Sequence, residues 1–130
     1  MSAALVRPRA DRRALGSQSE DIAARFLGTQ GLELVERNFR RRLGELDLIA
    51  RCGDDVLVIA EVRTRSSNAY GGAAASVDGL KRRRIVRAAQ QLLQRRKDLA
   101  RLRVRFDVIV VHDPTATTPR VEWIQHAFDA

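Results

Sequence analysis

Cysteine is nearly absent from this sequence: Cys52 is the one thiol in 130 residues. A lone thiol cannot close an internal disulfide, and such sparing use suits a reducing compartment, so a cytoplasmic location is expected. No Cys/His cluster exists to hold zinc. No apolar run approaches the roughly 20 residues of a membrane helix, so no membrane partner is expected. The opening residues, MSAALVRPRADRR, lack the apolar stretch of about 7 to 15 residues that marks a secretory signal, and none is expected there. Lysine is scarce as well: of 24 basic residues, only Lys81 and Lys97 are lysine.

What is present is arginine, in a chain of net charge +8. The bases come in bursts at residues 7–13, 37–42, 81–84, 95–97 and 101–105. Such bursts attract phosphate backbones and release their counterions. Any one of them reads equally well as a solvated surface, but five in one small domain favour a polyanion partner. The 45% hydrophobic content supports a folded chain, and 130 residues suffice for one core rather than two.

Residues 1–15 read as a basic flexible arm, and 16–130 as a single domain. A first helix is predicted from about 17 to 30. Ser17 and Glu20 make a capping box, Ile22, Ala23, Phe26 and Leu27 recur at helical spacing, and Gly31 is the stop. Three strands follow, at 32–39, 45–52 and 56–63, the last two joined by Gly53-Asp54-Asp55 as a hairpin. Residues 64–76 form a loop rich in Gly, Ala and Ser. A second helix spans about 77–97, with Leu80, Ile85, Ala88, Ala89, Leu92 and Leu93 as its apolar positions. A buried strand at 104–112 and a short one at 121–124 close the order α-β-β-β-α-β-β, and the tail adds a helical turn.

The hairpin carries the chemistry. Centred on Asp54, its partners have numbers summing to 108. Leu46, Leu48 and Ala50 then face Val62, Ala60 and Val58 on a wholly apolar side. The other side sets Ile49 against Ile59, Asp47 against Glu61 and Glu45 against Arg63. A slip of one residue would mix the two sides, so the apolar pattern supports this register. Asp47 and Glu61 become cross-strand neighbours, with Cβ atoms roughly 4.5–5.5 Å apart. Two full charges about 5 Å apart repel by roughly 3 kcal/mol at an effective dielectric near 20. A proton, a cationic side chain or a metal ion must offset this. Mg²⁺ takes one or two carboxylates, several waters and a substrate phosphate, which suits phosphodiester hydrolysis. Ion pairing with Arg63, Arg65 or another arginine accounts for the same acids without chemistry, and both readings stay open.

The stretch GELDLIA at 44–50, EVR at 61–63 and RFDV at 105–108 together resemble the YraN family of small bacterial proteins. Glu20, Asn38, YGG at 70–72 and Lys81 extend the resemblance over about residues 16 to 128. Through that family the chain is similar to the restriction-endonuclease-like, or PD-(D/E)XK, superfamily and to archaeal Holliday junction resolvases. The implied fold is α/β, a restriction-endonuclease-like mixed β-sheet flanked by helices, in agreement with the element order. The implied catalytic residues are Glu20, Asp47, Glu61 and Arg63, with Asp47, Glu61 and Glu20 as ligands of Mg²⁺ or Mn²⁺. Resolvases of this kind also imply a homodimer.

Arg63 departs from the superfamily, which has lysine two residues past the second acid, although arginine is familiar there among YraN relatives. Arginine cannot act as a general base, yet it can hold a phosphate bidentately. Lys81 offers an alternative lysine from the second helix. The residues expected to grip DNA are Arg40, Arg41, Arg42, Arg65, Tyr70, Lys81, Arg82 and Arg83. The resulting expectation is a metal-dependent nuclease on branched or single-stranded DNA. The alternatives are a catalytically inactive nucleic-acid-binding module on the same fold and a scaffold for an acidic protein partner. Glu45 is expected to pair with Arg63, and Asp107 with an arginine of a helix. His112, His126 and Cys52 read as structural, and Trp123 as core.

Overall fold

A computed structural model describes residues 9–66 and 76–130, with side chains from residue 13 onward. Helix α1 (Arg9–Thr29) leads into strands β1 (Glu33–Arg41), β2 (Gly44–Cys52) and β3 (Val56–Arg65). Helix α2 (Gly79–Arg95) then crosses to β4 (Arg103–His112), and β5 (Arg120–Phe128) ends the order. The sheet order is β1-β2-β3-β4-β5, antiparallel throughout except for the parallel pair β3–β4 that α2 connects. This is the expected mixed sheet flanked by helices. No helix among the described residues is long and apolar enough to cross a membrane.

Several element ends differ from the sequence expectation. Helix α1 begins at Arg9, inside the stretch read as a flexible arm. Ser17 and Glu20 therefore lie in the helix interior and form no capping box. Gly31 does stop it: at φ +86° it lets Leu32 N–H reach the Leu27 carbonyl at 3.0 Å while its own N–H bonds Gly28. Helix α2 starts at Gly79 because Asp78 caps it, its carboxylate accepting from Lys81 N–H at 2.9 Å. The tail, expected to turn helically, instead extends β5 to Phe128, where the Phe128 ring stacks on Phe106 at 5.0 Å.

Each face of the sheet carries its own core. Ala23 and Leu27 of α1 pack with Leu48, Ala50, Val58, Ala60, Ile109 and Val111. Ile85, Ala88, Ala89 and Leu92 of α2 pack with Phe39, Leu46, Ile49, Leu57, Ile59, Val108 and Val110. Period-two alternation explains most of this sorting. It fails at one level: Leu48 lies on the α1 side, but Leu46, two residues away, lies on the α2 side. The partner strand does the same, since Arg37 pairs with Asp21 of α1 while Phe39 joins the α2 core. Between them sit Asn38, in the left-handed region at φ +52°, and Asp47. The expectation that Leu46 would face Val62 on a common apolar side is thereby corrected. The register itself holds, with Leu48–Ala60, Ile49–Ile59 and Ala50–Val58 all paired.

Candidate active site

The β2–β3 ladder runs from Cys52–Val56 to Leu48–Ala60 and stops there. One residue further on, the Asp47 side chain takes over, its Oδ2 accepting from Val62 N–H at 2.9 Å. A carboxylate thus stands at the fork between two central strands. Glu61, buried and one residue beyond the last ladder pair on β3, is in side-chain hydrogen-bonding contact with Asp47. The two acids meet as the register required. Burial, and then the neighbouring Glu61 charge, push the Asp47 carboxyl up from 3.8 to about 8. At neutral pH the Asp47 carboxyl therefore keeps its proton.

Two cations attend Glu61. Lys81 Nζ, from the first turn of α2, lies 3.0 Å from Glu61 Oε2. Arg63 Nε lies 4.0 Å from the same oxygen, too far for a hydrogen bond, and this buried N–H has no acceptor among the described residues. Glu45 does not pair with Arg63 as expected. Its carboxylate meets Arg40 Nε at 3.0 Å, because the face exchange turns Glu45 and Arg40 together.

Asp47 and Glu61 form the floor of a cleft of about 800 Å³ between the β1–β2 turn and α2. Its walls carry Arg40, Arg41 and Arg42 on one side and Arg83, Arg84 and Arg87 on the other. The walls touch at Gly44: a Cβ there would lie 2.2 Å from the Arg84 carbonyl oxygen, so only glycine allows this approach. Arg84 and Arg87 were not singled out in the sequence. Their signal was the spacing Leu80, Arg83, Arg84, Arg87, which places all four on one helix face.

Glu20 lies nearby but opens elsewhere. It lines a second hollow with Arg13, Ser17 and Asn38, which Arg40 separates from the main cleft. Burial raises the Glu20 carboxyl above its ordinary range, opposed by a hydrogen bond with Asn38 and the charge of Arg37. Among the described residues no group of three Asp, Glu, His or Cys side chains is gathered as for one ion; Glu20 lines the neighbouring hollow, and its charge still reaches Asp47. Two other residues expected to contact DNA do not line the cleft. Arg82 Nε donates to the Val77 carbonyl at 2.6 Å and its guanidinium lies over Phe128, while Arg65 bonds the Thr64 carbonyl. Tyr70 lies outside the described residues.

The remaining polar residues act structurally. Asp107 is fully buried and takes Arg105 bidentately at 2.9 Å, Trp123 Nε1–H at 2.8 Å and His126 N–H at 3.0 Å. Its arginine comes from its own strand rather than from a helix. Trp123 packs edge-on against Phe26, fastening β5 to α1. Buried His112 bonds Glu122 at 2.6 Å.

A family model, that of the uncharacterised protein family UPF0102, matches residues 19–111, a span that contains Glu20, Asp47, Glu61 and Lys81. The chain belongs to UPF0102, the YraN family. Among its UPF0102 relatives, a protein of Cupriavidus taiwanensis is 48% identical over 120 residues, covering 92% of this chain and 86% of the relative. One of Dechloromonas aromatica is 49% identical over 117 residues, 90% of each chain. One of Pseudomonas aeruginosa is 43% identical over 116 residues, 88% of this chain and 92% of its own. The span matched by the family model runs from the middle of α1 through β1, β2, β3 and α2 into β4.

Proposed function

We propose that the protein is a metal-dependent nuclease that hydrolyses DNA phosphodiesters in the arginine-walled cleft, with Asp47 and Glu61 as its metal-holding pair. One observation carries this reading. Two carboxyls in contact with each other, Glu61 buried and Asp47 partly so, line a cleft whose walls hold six arginines. A structural ion pair would give each acid its own cation. Here, among the described residues, Asp47 meets a backbone N–H and a second acid and forms no ion pair.

The donor set fits a hard divalent cation such as Mg²⁺ or Mn²⁺, which takes one or two carboxylates and leaves room for water and a phosphate. Such a cation would polarise the phosphate and make water at the site more acidic. The chain's own residues would do the rest. Asp47, fixed by Val62 N–H, and Glu61 would hold the ion between two strands of the rigid sheet. Lys81 would leave Glu61 for a phosphate oxygen, taking the role that the superfamily gives to the lysine two residues past the second acid. The unpaired Nε–H of Arg63 would satisfy itself on the same phosphate, adding fixed positive charge where negative charge builds up. Arginines of both walls would hold the backbone on either side.

The test is a panel of branched, flap and single-stranded DNA incubated with Mn²⁺. The Asp47→Ala/Glu61→Ala double variant, purified identically, runs beside it. Cleavage by the wild type, lost in the double variant while DNA binding persists, is the expected result. Equal cleavage by both would mark a contaminant and end the proposal. A second reading, a binding module without chemistry, draws on Arg63 standing where the superfamily has lysine. Steeply salt-dependent binding with no cleavage under any divalent metal would favour it.

A further inference from the structure

Three large hydrophobic side chains are exposed among the described residues: Leu34, Leu43 and Leu80. The last two line the same arginine cleft. They belong to different elements, one the β1–β2 turn and the other α2, on the two walls that meet at Gly44. Leu43 precedes Gly44, which presses against the Arg84 carbonyl. Leu80 lies four residues before Arg84, about one helical turn or roughly 6 Å along the same face. Each leucine is about half exposed, at 47% and 51%.

A scattered surface leucine needs no special account. A pair of them in a cleft walled by arginine and floored by acid does. Phosphate gains nothing from an aliphatic side chain, and a charged protein partner gains little. In an intact duplex the bases are stacked and offer only their edges in the grooves. An unstacked base offers an apolar face attached to a phosphate, and it is the nucleic-acid group that matches leucine and arginine side by side. Leu43 and Leu80 line the same cleft as Asp47 and Glu61.

We propose that Leu43 and Leu80 form an apolar seat for the face of an unstacked nucleobase, so that the cleft selects nucleic acid whose bases are splayed out next to the bound phosphate. The inference rests on the reading of this cleft as a nucleic-acid site, but not on cleavage. Both leucines stand on firm backbone, one on a turn locked against α2 and one in the first turn of α2 itself, so little ordering is needed on binding.

The experiment measures binding, without divalent metal, of a short oligonucleotide with 2-aminopurine at its centre, as a single strand and as the matching duplex. Wild type is compared with Leu43→Ser/Leu80→Ser, whose sites are exposed and tolerate a polar side chain. The expected loss is about tenfold for the single strand, the scale of two half-buried leucines, with an unchanged salt slope and unchanged duplex affinity. The wild type alone should alter the 2-aminopurine emission. Equal single-strand affinity in both proteins would overturn the seat while leaving the cleft a nucleic-acid site. A wild type that binds neither form would overturn both. A change from dimer to monomer in the double variant would assign the leucines to a second copy of the chain instead.

Discussion

Asp47→Asn should make the protein more stable above neutral pH while removing its site. In the folded chain the Asp47 carboxyl is raised from 3.8 to about 8, chiefly by burial and then by Glu61. The folded state therefore binds a proton more tightly than the unfolded chain. Below about pH 4 both states are protonated and there is no penalty. As pH rises from about 4 to about 8, the unfolded chain gains by ionising while the folded one cannot, and stability falls. Near pH 7 about three pH units separate the solution from the ordinary value, at about 1.4 kcal/mol each, for an upper bound of about 4 kcal/mol. Partial solvent access and the Lys81 ammonium beside Glu61 reduce this to about 2 kcal/mol. Asparagine keeps an oxygen for Val62 N–H and offers Glu61 a permanent N–H in place of the Asp47 proton. Thermal unfolding in chelator at pH 5 and pH 8 decides the matter. At pH 5 the two proteins should differ little. At pH 8 Asp47→Asn should melt about 6 °C higher. Added Mn²⁺ should raise the wild type and leave the variant unmoved. A constant offset at both pH values, or a lower melting point for the variant at pH 8, would refute the reasoning.

Three further outcomes follow from the geometry. Gly44→Ala places a Cβ 2.2 Å from backbone that cannot give way, so urea unfolding should show a loss of about 2–3 kcal/mol, and DNA affinity should fall as the cleft wall shifts. Asp107→Ala strands Arg105, the Trp123 indole N–H and His126 N–H at once. It should cost about 3–5 kcal/mol of stability, read from the same unfolding curves, while the remaining folded protein keeps its metal affinity. Glu20→Gln should change Mn²⁺ affinity less than about threefold by calorimetry, against about 30-fold or more for Glu61→Gln. Equal losses in the two would place Glu20 in the metal shell after all.

The hairpin was legible because alternation by two is a strong signal and its turn residues marked the centre. The ladder pairs Leu48–Ala60 through Ala50–Val58 stand as the sequence pattern required. The face exchange was not legible. Leu46 and Leu48 look like one apolar stripe, and nothing local announces that Asn38 adopts φ +52°, although asparagine tolerates that region better than most residues. The same exchange redirects Glu45 to Arg40. Ser17 and Glu20 mimic a helix start because a capping pattern carries no information on whether the chain is already helical before it. The arginine bursts told of charge but not of direction. Helical spacing sorts Arg83, Arg84 and Arg87 onto the cleft, whereas Arg82 turns toward Phe128. Lys81 was read as a spare cation, and only the placement of the second helix puts it on Glu61.

The exchange of sides at Asn38 and Asp47 has a mechanical result. The tip of the β1–β2 ribbon packs on α2, while its base lies between both helices, with Leu48 and Ala50 toward α1 and Ile49 toward α2. Peeling away the first helix would bare the base and spare the tip, so the arginine jaws and their leucines would ride with the second helix as one body. Amide exchange should then report two opening events of different free energy within a single hairpin, with the hinge between them at the acid that grips Val62.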